Sequence, residues 1–346
     1  MYPRLVVDLE KISRNVRKLR EILKERNIEF VGVTKLFMGD PKIAGIFREN
    51  GVEVLADSRI ENFRKMMEGG FSKPFMMIRI PQISRLKEVV ELTDHILVSE
   101  PEIVKMIDEI ASGVVKIYYM VDVGDLREGV MYDKAVDEIK PLLNFKKAKI
   151  VGVATNVGCF GGVLPSEENL KWIVDVAKEL DLDEISVGGT VYLLALEGGF
   201  MPYEITQMRI GEAALLGTDA TGDRDIPYLE QETVVLEAEV IEIKEKPSVP
   251  IGKKGKDSMG RVPKFENKGI RKRAILAIGV QDVDPKGLKP LDEGAEVVHA
   301  SSDHLIVDVT DVERKIKLGD VMRFRTNYSA TLRAITSPFV DKVFLG

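Results

Sequence analysis

Cysteine is nearly absent from this sequence. Cys159 stands alone, which excludes an internal disulfide and fits a reducing compartment, so a cytoplasmic protein is expected. Histidine is almost as scarce: His95, His299 and His304 are not spaced as a ligand pair, and with one cysteine no metal site is expected. Long apolar runs are missing too. The longest uncharged stretch worth considering, Ile185 to Leu196, contains two glycines and falls well short of the roughly 18 residues that span a bilayer. The opening Met1-Tyr2-Pro3-Arg4 brings charge too early for a signal peptide, so neither a targeting segment nor a membrane partner is expected. No sign of charge dominates either. The formal net charge is −6, and the densest basic stretch, Lys253 to Lys256 with Arg261 and Lys264 beyond, is interrupted by Gly255 and Asp257. It reads as a solvated loop, and no nucleic-acid partner is expected.

What the chain does have is enough apolar material for a large core. Hydrophobic residues make up 45% and charged residues 31% of its 346 positions, which suits a barrel of about 200 to 250 residues plus a second unit. Short β-branched runs alternate with longer segments of helical period, the pattern of βα units around a parallel sheet. Strands are expected at Phe30 to Thr34, Val52 to Ala56, Pro74 to Ile78, His95 to Val98, Val115 to Val121, Ile150 to Ala154, Glu184 to Val187 and Gln207 to Ile210. Helices are expected at Pro41 to Asn50, Ile60 to Glu68, Glu100 to Ile110 and Glu167 to Leu180. Ser58 before Glu61 and Ser166 before Asn169 supply N-caps, the first as a capping box. Eight such units favour a closed (β/α)8 TIM-type barrel in an α/β fold, with a doubly wound open sheet as the alternative.

After about Gly222 the texture changes. Thr233 to Ile243, Arg273 to Gly279, Glu296 to Ala300, His304 to Val309 and Val321 to Thr326 are strand-like runs separated by turn residues, with no long amphipathic helix among them. The expected division is therefore a barrel over residues 1–225 and a mostly β C-terminal domain over 226–346. An arrangement in which the first strand pairs with the second domain stays open. The stretch Lys244 to Gly269, rich in Lys, Gly and Pro, reads as a long excursion within that domain, and loops of such length are functional or disordered.

Catalytic groups in such a barrel come from the C-terminal ends of the strands. Lys35 follows the first strand directly; partial desolvation in the barrel mouth would make it a competent Schiff-base nucleophile, and snorkelling at the rim is the bland alternative. Strand ends seven and eight carry Ser186-Val187-Gly188-Gly189-Thr190 and Arg209-Ile210-Gly211-Glu212-Ala213. Small residues at these two loops let backbone N–H groups approach a phosphate, although Gly-Gly before Thr is also an ordinary turn. The fifth strand ends in Asp122, Gly124, Asp125, Arg127 and Gly129, where a structural ion pair is an equal reading. Asn156 stands at the sixth strand end, either facing a ligand or capping a turn.

With these residues in place, the sequence resembles the alanine-racemase family of pyridoxal-phosphate enzymes, most closely its ornithine racemase branch. The opening Val6-Val7-Asp8-Leu9-Glu10-Lys11-Ile12, Val33-Thr34-Lys35, Ala56 to Asn62, the Asp122 to Gly129 motif and the Pro250 to Asp282 stretch carry the resemblance. It implies that Lys35 binds pyridoxal 5'-phosphate and shuttles the α-proton, and that Thr190, Gly211 and Glu212 hold the phosphate. It further implies that Arg209 faces the pyridine nitrogen and that Arg127 and Asn156 lie near the ring oxygen. A guanidinium cannot accept a proton, so it would keep that nitrogen neutral and favour simple proton exchange.

The chain departs from the family pattern at two tyrosines. Where alanine racemases carry a second catalytic base in a Ser-Tyr-Gly context, this chain has Pro250-Ile251-Gly252, and Pro338 stands near the C-terminus in place of a phosphate-contacting tyrosine. Racemisation needs acid and base on opposite faces, so another group must serve: Asp257, Ser258, Asp303 or Tyr328. Asp303 lies in a stretch resembling the family's substrate-access segment; a solvated turn carboxylate is the alternative. A basic substrate such as ornithine or lysine would need a carboxylate, which Asp257, Asp282 or Asp303 would supply. A second base drawn from a neighbouring chain would require a homodimer. Two other readings are a non-catalytic cofactor carrier, which would lack the second domain, and a decarboxylase of the same fold type. Against the decarboxylase stand Arg209 and the lack of any cysteine after Cys159.

Overall fold

The computed structural model describes residues 1–257 and 259–346; Ser258, one of the candidate second bases, lies outside the described residues. Tertiary contacts divide the chain into two compact units, Lys11–Gln231 and Met1–Glu10 together with Glu232–Gly346.

Strand β1 (Arg4–Asp8) and helix α1 (Leu9–Glu25) open the chain. The next strands are β2 (Glu29–Val33), β3 (Val54–Asp57), β4 (Phe75–Met77), β5 (His95–Val98), β6 (Val115–Asp122), β7 (Ala148–Asn156), β8 (Glu184–Gly188) and β9 (Gln207–Ile210). Among the described residues these eight strands are all parallel, each pairs with the next, and β9 pairs with β2 to close the ring. The closed barrel expected from the sequence is present, with strand ends displaced by no more than two residues. Its interior is packed rather than hollow: Val31, Val33, Ala56, Met76, Leu97 and Met120 form one buried cluster. Strands covered on both faces read as continuous apolar runs, which is why alternation is weak in this half of the sequence.

Around the ring run α2 (Pro41–Glu49), α3 (Ile60–Glu68), α4 (Leu86–Leu92), α5 (Pro101–Ile110), α6 (Ala135–Ile139), α7 (Glu167–Glu179), α8 (Leu193–Glu197) and α9 (Glu212–Leu216). Ser166 caps α7 in a full capping box with Asn169. The box expected at Ser58 does not form. Arg59 is the N-cap of α3, and the buried Asp57 carboxylate takes the amides of Ser58 and Arg59 at 2.6 and 3.1 Å and the Asn62 amide nitrogen at 2.8 Å. The helix thus begins one residue later than expected, with no side chain capping it, and Asp57 fixes the chain that leads into it.

The other unit is built from β1 with β10 (Val234–Pro247), β11 (Ile270–Leu276), β12 (Leu288–Pro290), β13 (Glu296–Ala300), β14 (Leu305–Asp308), β15 (Val321–Thr326) and β16 (Asp341–Leu345). Strand β1 runs antiparallel to β10, with Leu5 opposite Leu236, and parallel to β16. Strand β10 pairs with β15 along its first half and, after a register shift at Val240/Glu242, with β11 along its second. One helix stands where the sequence pattern showed none: α10 (Tyr328–Thr336), capped by Asn327 Oδ1, which accepts from Ala330 N at 3.0 Å. Its Thr, Ser and Ile content gives little intrinsic helix preference. Burial of Ala330, Thr331, Ala334 and Ile335 decides the matter instead.

Candidate active site

Lys35 follows Thr34 at the C-terminal end of β2 and begins a single helical turn, Lys35–Phe37. Thr34 and Asp57 anchor it from below: Thr34 N donates to Ala56 O at 2.9 Å, and Thr34 Oγ1 donates to Asp57 Oδ2 at 2.8 Å. Burial pushes the Asp57 carboxyl up, and the bonds from Thr34 and Asn62 pull it part of the way back. Lys35 is half-buried, and its charge is close enough to Glu212 to lower that acid.

Arg209 lies on the inner face of β9, with Val31 of β2 as its register partner. It is 4% exposed. Its Nη1 donates to Ser186 Oγ at 2.5 Å and its Nη2 to Thr155 O at 2.8 Å. Burial lowers its pKa to about 10, so the guanidinium remains a cation and a pure donor near neutrality. Room for it exists only because residue 188 is glycine: a Cβ there would stand 2.2 Å from Arg209 Nη2 and 2.8 Å from Asn156 Oδ1. Asn156, at the end of β7, lies beside Val157 and Gly188; with its amide turned, it donates to Gly188 O at 3.1 Å and accepts from Val157 N at 3.3 Å.

Two loops complete the rim. After β8, Gly189 takes φ +108°, a conformation that favours glycine. The buried Thr190 Oγ1 accepts from Ala213 N at 3.0 Å, tying the loop after β8 to the start of α9. Gly211 presses on the strand bearing Lys35, since a Cβ would lie 3.1 Å from Val33 Cβ. The Glu212 side chain turns away into its own turn, accepting from Thr218 Oγ1 at 2.7 Å and Ala220 N at 2.9 Å. Burial pushes its carboxyl up to about 7, against the opposing bond from Thr218.

The Asp122 to Gly129 motif is a loop clamp. Asp122 Oδ1 accepts from Gly124 N at 2.8 Å and Leu126 N at 3.2 Å. Asp125, 1% exposed, accepts from the amides of Gly158, Phe160 and Gly161, each at 3.0 Å, and so holds the loop after β7 against the loop after β6. Arg127 is paired with Glu128, and both charges act on Arg209.

Lys35, Asn156, Thr190, Arg209, Gly211 and Glu212 therefore share one end of the barrel, with Arg127 in electrostatic reach. The other candidates belong to the β-rich unit. Asp257 is engaged: Oδ1 accepts from Met259 N and Arg261 N, and Oδ2 meets Arg261 Nε at 2.8 Å and His299 Nε2 at 3.2 Å. Burial raises this carboxyl, but the Arg261 and Met259 bonds outweigh it and leave it below the usual range. Asp303 sits in the exposed turn between β13 and β14 and, among the described residues, its carboxylate accepts from Ser302 Oγ at 3.0 Å. Tyr328 opens α10, Ile251 is exposed, and Pro338 lines a cavity of about 600 Å³ with Asp282 and Ser337.

Sequence reasoning missed the residues that hold Arg209 and Lys35 in place: Ser186 and Gln207 for the first, Thr34 and Asp57 for the second. The polar Gln207-x-Arg209 alternation in an otherwise apolar strand was the available signal. The barrel end also fits a planar anionic aldehyde cofactor. It offers a fixed donor at Arg209 and a glycine-lined floor, with the buried hydroxyls of Thr155 and Tyr192 facing one another nearby.

A closed parallel barrel with a lysine and a buried arginine at the C-terminal ends of its strands, in a chain that also builds a β-rich unit, has the alanine racemase fold. Two solved structures share it: an alanine racemase from Clostridium difficile 630 (TM-score 0.74, 18% identity, 99% of this chain and 95% of that one) and the alanine racemase from Bartonella henselae with covalently bound pyridoxal phosphate (TM-score 0.75, 17% identity, 99% of each chain). The chain belongs to the alanine racemase N-terminal domain family, which it matches over residues 7–219. Among curated relatives, a lysine racemase from Thermotoga maritima is 49% identical, covering 99% of each chain, and an ornithine racemase from Acetoanaerobium sticklandii is 36% identical, covering 100% of each.

Proposed function

We propose that this chain is a pyridoxal-phosphate-dependent racemase of basic amino acids, with lysine and ornithine as its substrates. The observation that carries the reading is Lys35, half-buried at the barrel end shared with a buried, donor-only arginine, in a chain whose full-length relatives are named for lysine and ornithine racemisation. Pyridoxal phosphate, when bound, withdraws electrons from the α-carbon and so makes its hydrogen acidic.

The chain's own residues do the rest. Lys35 would hold the cofactor and move the α-proton at its amine on one face. Arg209 would donate to the ring nitrogen and, having no acceptor for a protonated one, would keep it neutral. Thr190, Gly211 and Glu212 would hold the phosphate, Glu212 through its backbone, because its carboxyl is committed to Thr218 and Ala220. Arg127 and Asn156 would lie near the ring oxygen. Asp303 is the second proton carrier, supported by a carboxylate that is exposed and lightly bonded, whereas Asp257 is held by Arg261. The active species is a homodimer, and the lone exposed thiol at Cys159 fits a reducing compartment such as the cytoplasm.

Chiral chromatography of L-lysine and L-ornithine incubated with protein and cofactor tests the reading. Both D-enantiomers should accumulate with the parent chain and neither with Lys35→Ala. Unchanged chirality for lysine, ornithine and arginine rejects it.

A further inference from the structure

Arg209 presents a physical problem. A fully buried cation without a counter-charge is costly, and among the described residues no carboxylate lies within ion-pair distance of this one. What it has is a line of hydrogen bonds running to the opposite end of the barrel. Arg209 Nη1 donates to Ser186 Oγ at 2.5 Å, Ser186 Oγ donates to Gln207 Oε1 at 2.6 Å, and Gln207 Nε2 donates to Glu29 Oε2 at 2.7 Å. Every donor faces the same way, from a cation to an anion.

The two neutral links are sealed from water: Ser186 is 0% and Gln207 1% exposed. Glu29 is the exposed first residue of β2, so it stands at the N-terminal ends of the strands. A side branch joins from Gln207 Nε2 to Tyr118 OH at 3.3 Å, and Tyr118 in turn donates to Glu184. Aligned hydrogen bonds in a low-dielectric interior polarise one another, so the run carries charge stabilisation further than an isolated pair would. It also locks the Gln207 amide, whose oxygen must face Ser186 and whose nitrogen must face Glu29.

We propose that Ser186 and Gln207 are positioning residues that fix the Arg209 guanidinium and relay to it the negative charge of Glu29 from the far end of the barrel. The consequence is chemical. Arg209 is stabilised without a carboxylate in the cofactor pocket, where one would compete for its donor face. The proposal depends on the functional reading above only for what Arg209 faces. Although Glu29 is exposed on its outer side, its carboxyl turns in to Gln207 and loses water there, which raises it; the Gln207 bond and Lys116 lower it, and the Glu184 and Glu53 carboxylates raise it. Acidification therefore removes the counter-charge at a higher pH than for a free glutamate.

The first test uses the full chain without cofactor. Ser186 and Glu29 do not touch, so ordinary packing predicts additive melting-temperature losses for Ser186→Ala and Glu29→Gln. The relay predicts that the double variant loses no more than the worse single variant; additivity overturns it. The second test adds pyridoxal phosphate. Ser186→Ala and Gln207→Met, the latter close in shape but without the amide, should each weaken cofactor binding by about tenfold. They should also shift the visible band, which Glu29→Gln should leave without its acid response; Met208→Leu should change nothing. Unaltered affinity and an unmoved band in both Ser186→Ala and Gln207→Met overturn the positioning role. A parent chain that takes up no cofactor at Lys35 sinks the functional reading instead, and the cofactor-free cycle still decides this one.

Discussion

Gly188 and Arg209 claim the same space: a Cβ on Gly188 would lie 2.2 Å from Arg209 Nη2. The guanidinium can sit across β8 only because that position has no side chain. Gly188→Ala should displace it and cost about 1–3 kcal/mol of stability through overpacking. Urea unfolding measures the stability loss, and fluorescence titration with pyridoxal phosphate should show weaker binding; parent-like values in both would remove glycine from the design of the site.

Lys35→Ala should abolish covalent attachment of the cofactor. Borohydride reduction followed by peptide mass mapping should place the adduct on Lys35 in the parent chain and nowhere in the variant. Racemisation should fall by on the order of 10³-fold, in the range lost with a general acid–base group. An adduct on a different lysine would reassign the site.

Burial lifts Glu212 from 4.5 to about 7, so between those values the folded chain keeps a proton that the unfolded chain has released. The resulting stabilisation is complete below about pH 4.5 and drains away as the pH rises towards 7. Glu212→Gln should flatten that fall by up to about 1.4 kcal/mol per pH unit. Melting curves of the cofactor-free protein from pH 4.5 to 7.5 check it, and parallel slopes for the two proteins would refute it.

Asp125 gathers amides from the loop after β7. Asp125→Ala leaves them without their acceptor and should cost roughly 2–4 kcal/mol. Hydrogen exchange should speed up at Gly158, Phe160 and Gly161 first. Exchange that accelerates evenly across the barrel would contradict a local clamp.

Asp303→Asn should separate inversion from exchange. If Asp303 serves one face and Lys35 the other, the variant in deuterium oxide should still exchange the α-hydrogen of one enantiomer while inversion drops by about 10²-fold or more. Asp257→Asn should instead lower stability with little effect on either rate. Full inversion by Asp303→Asn would transfer the role to another group.

The barrel was legible in the sequence because each strand is short, apolar and followed by a helical period. Expected and observed limits coincide at His95–Val98 and Gln207–Ile210. Lys35, Arg209 and the glycine loops were legible for a related reason, since their distance from the strand ends is a property of the chain. Capping at Ser58 was misread because the helix begins a residue later, with Arg59 at its N-cap and no side-chain cap, while the buried Asp57 takes the amides of Ser58 and Arg59. Helix α10 was missed because its residues favour helix only once packed.

By itself, the sequence determined the alternation of strands and helices and the strand-end positions of the chemical groups. Only the tertiary structure decided which polar groups meet. Ser186 meets both Arg209 and Gln207 because β8 pairs with β9, and Glu29 joins them because closing the ring pairs β9 with β2. Local patterns carry no record of such partners, because burial and register, which select them, exist only once the ring has closed.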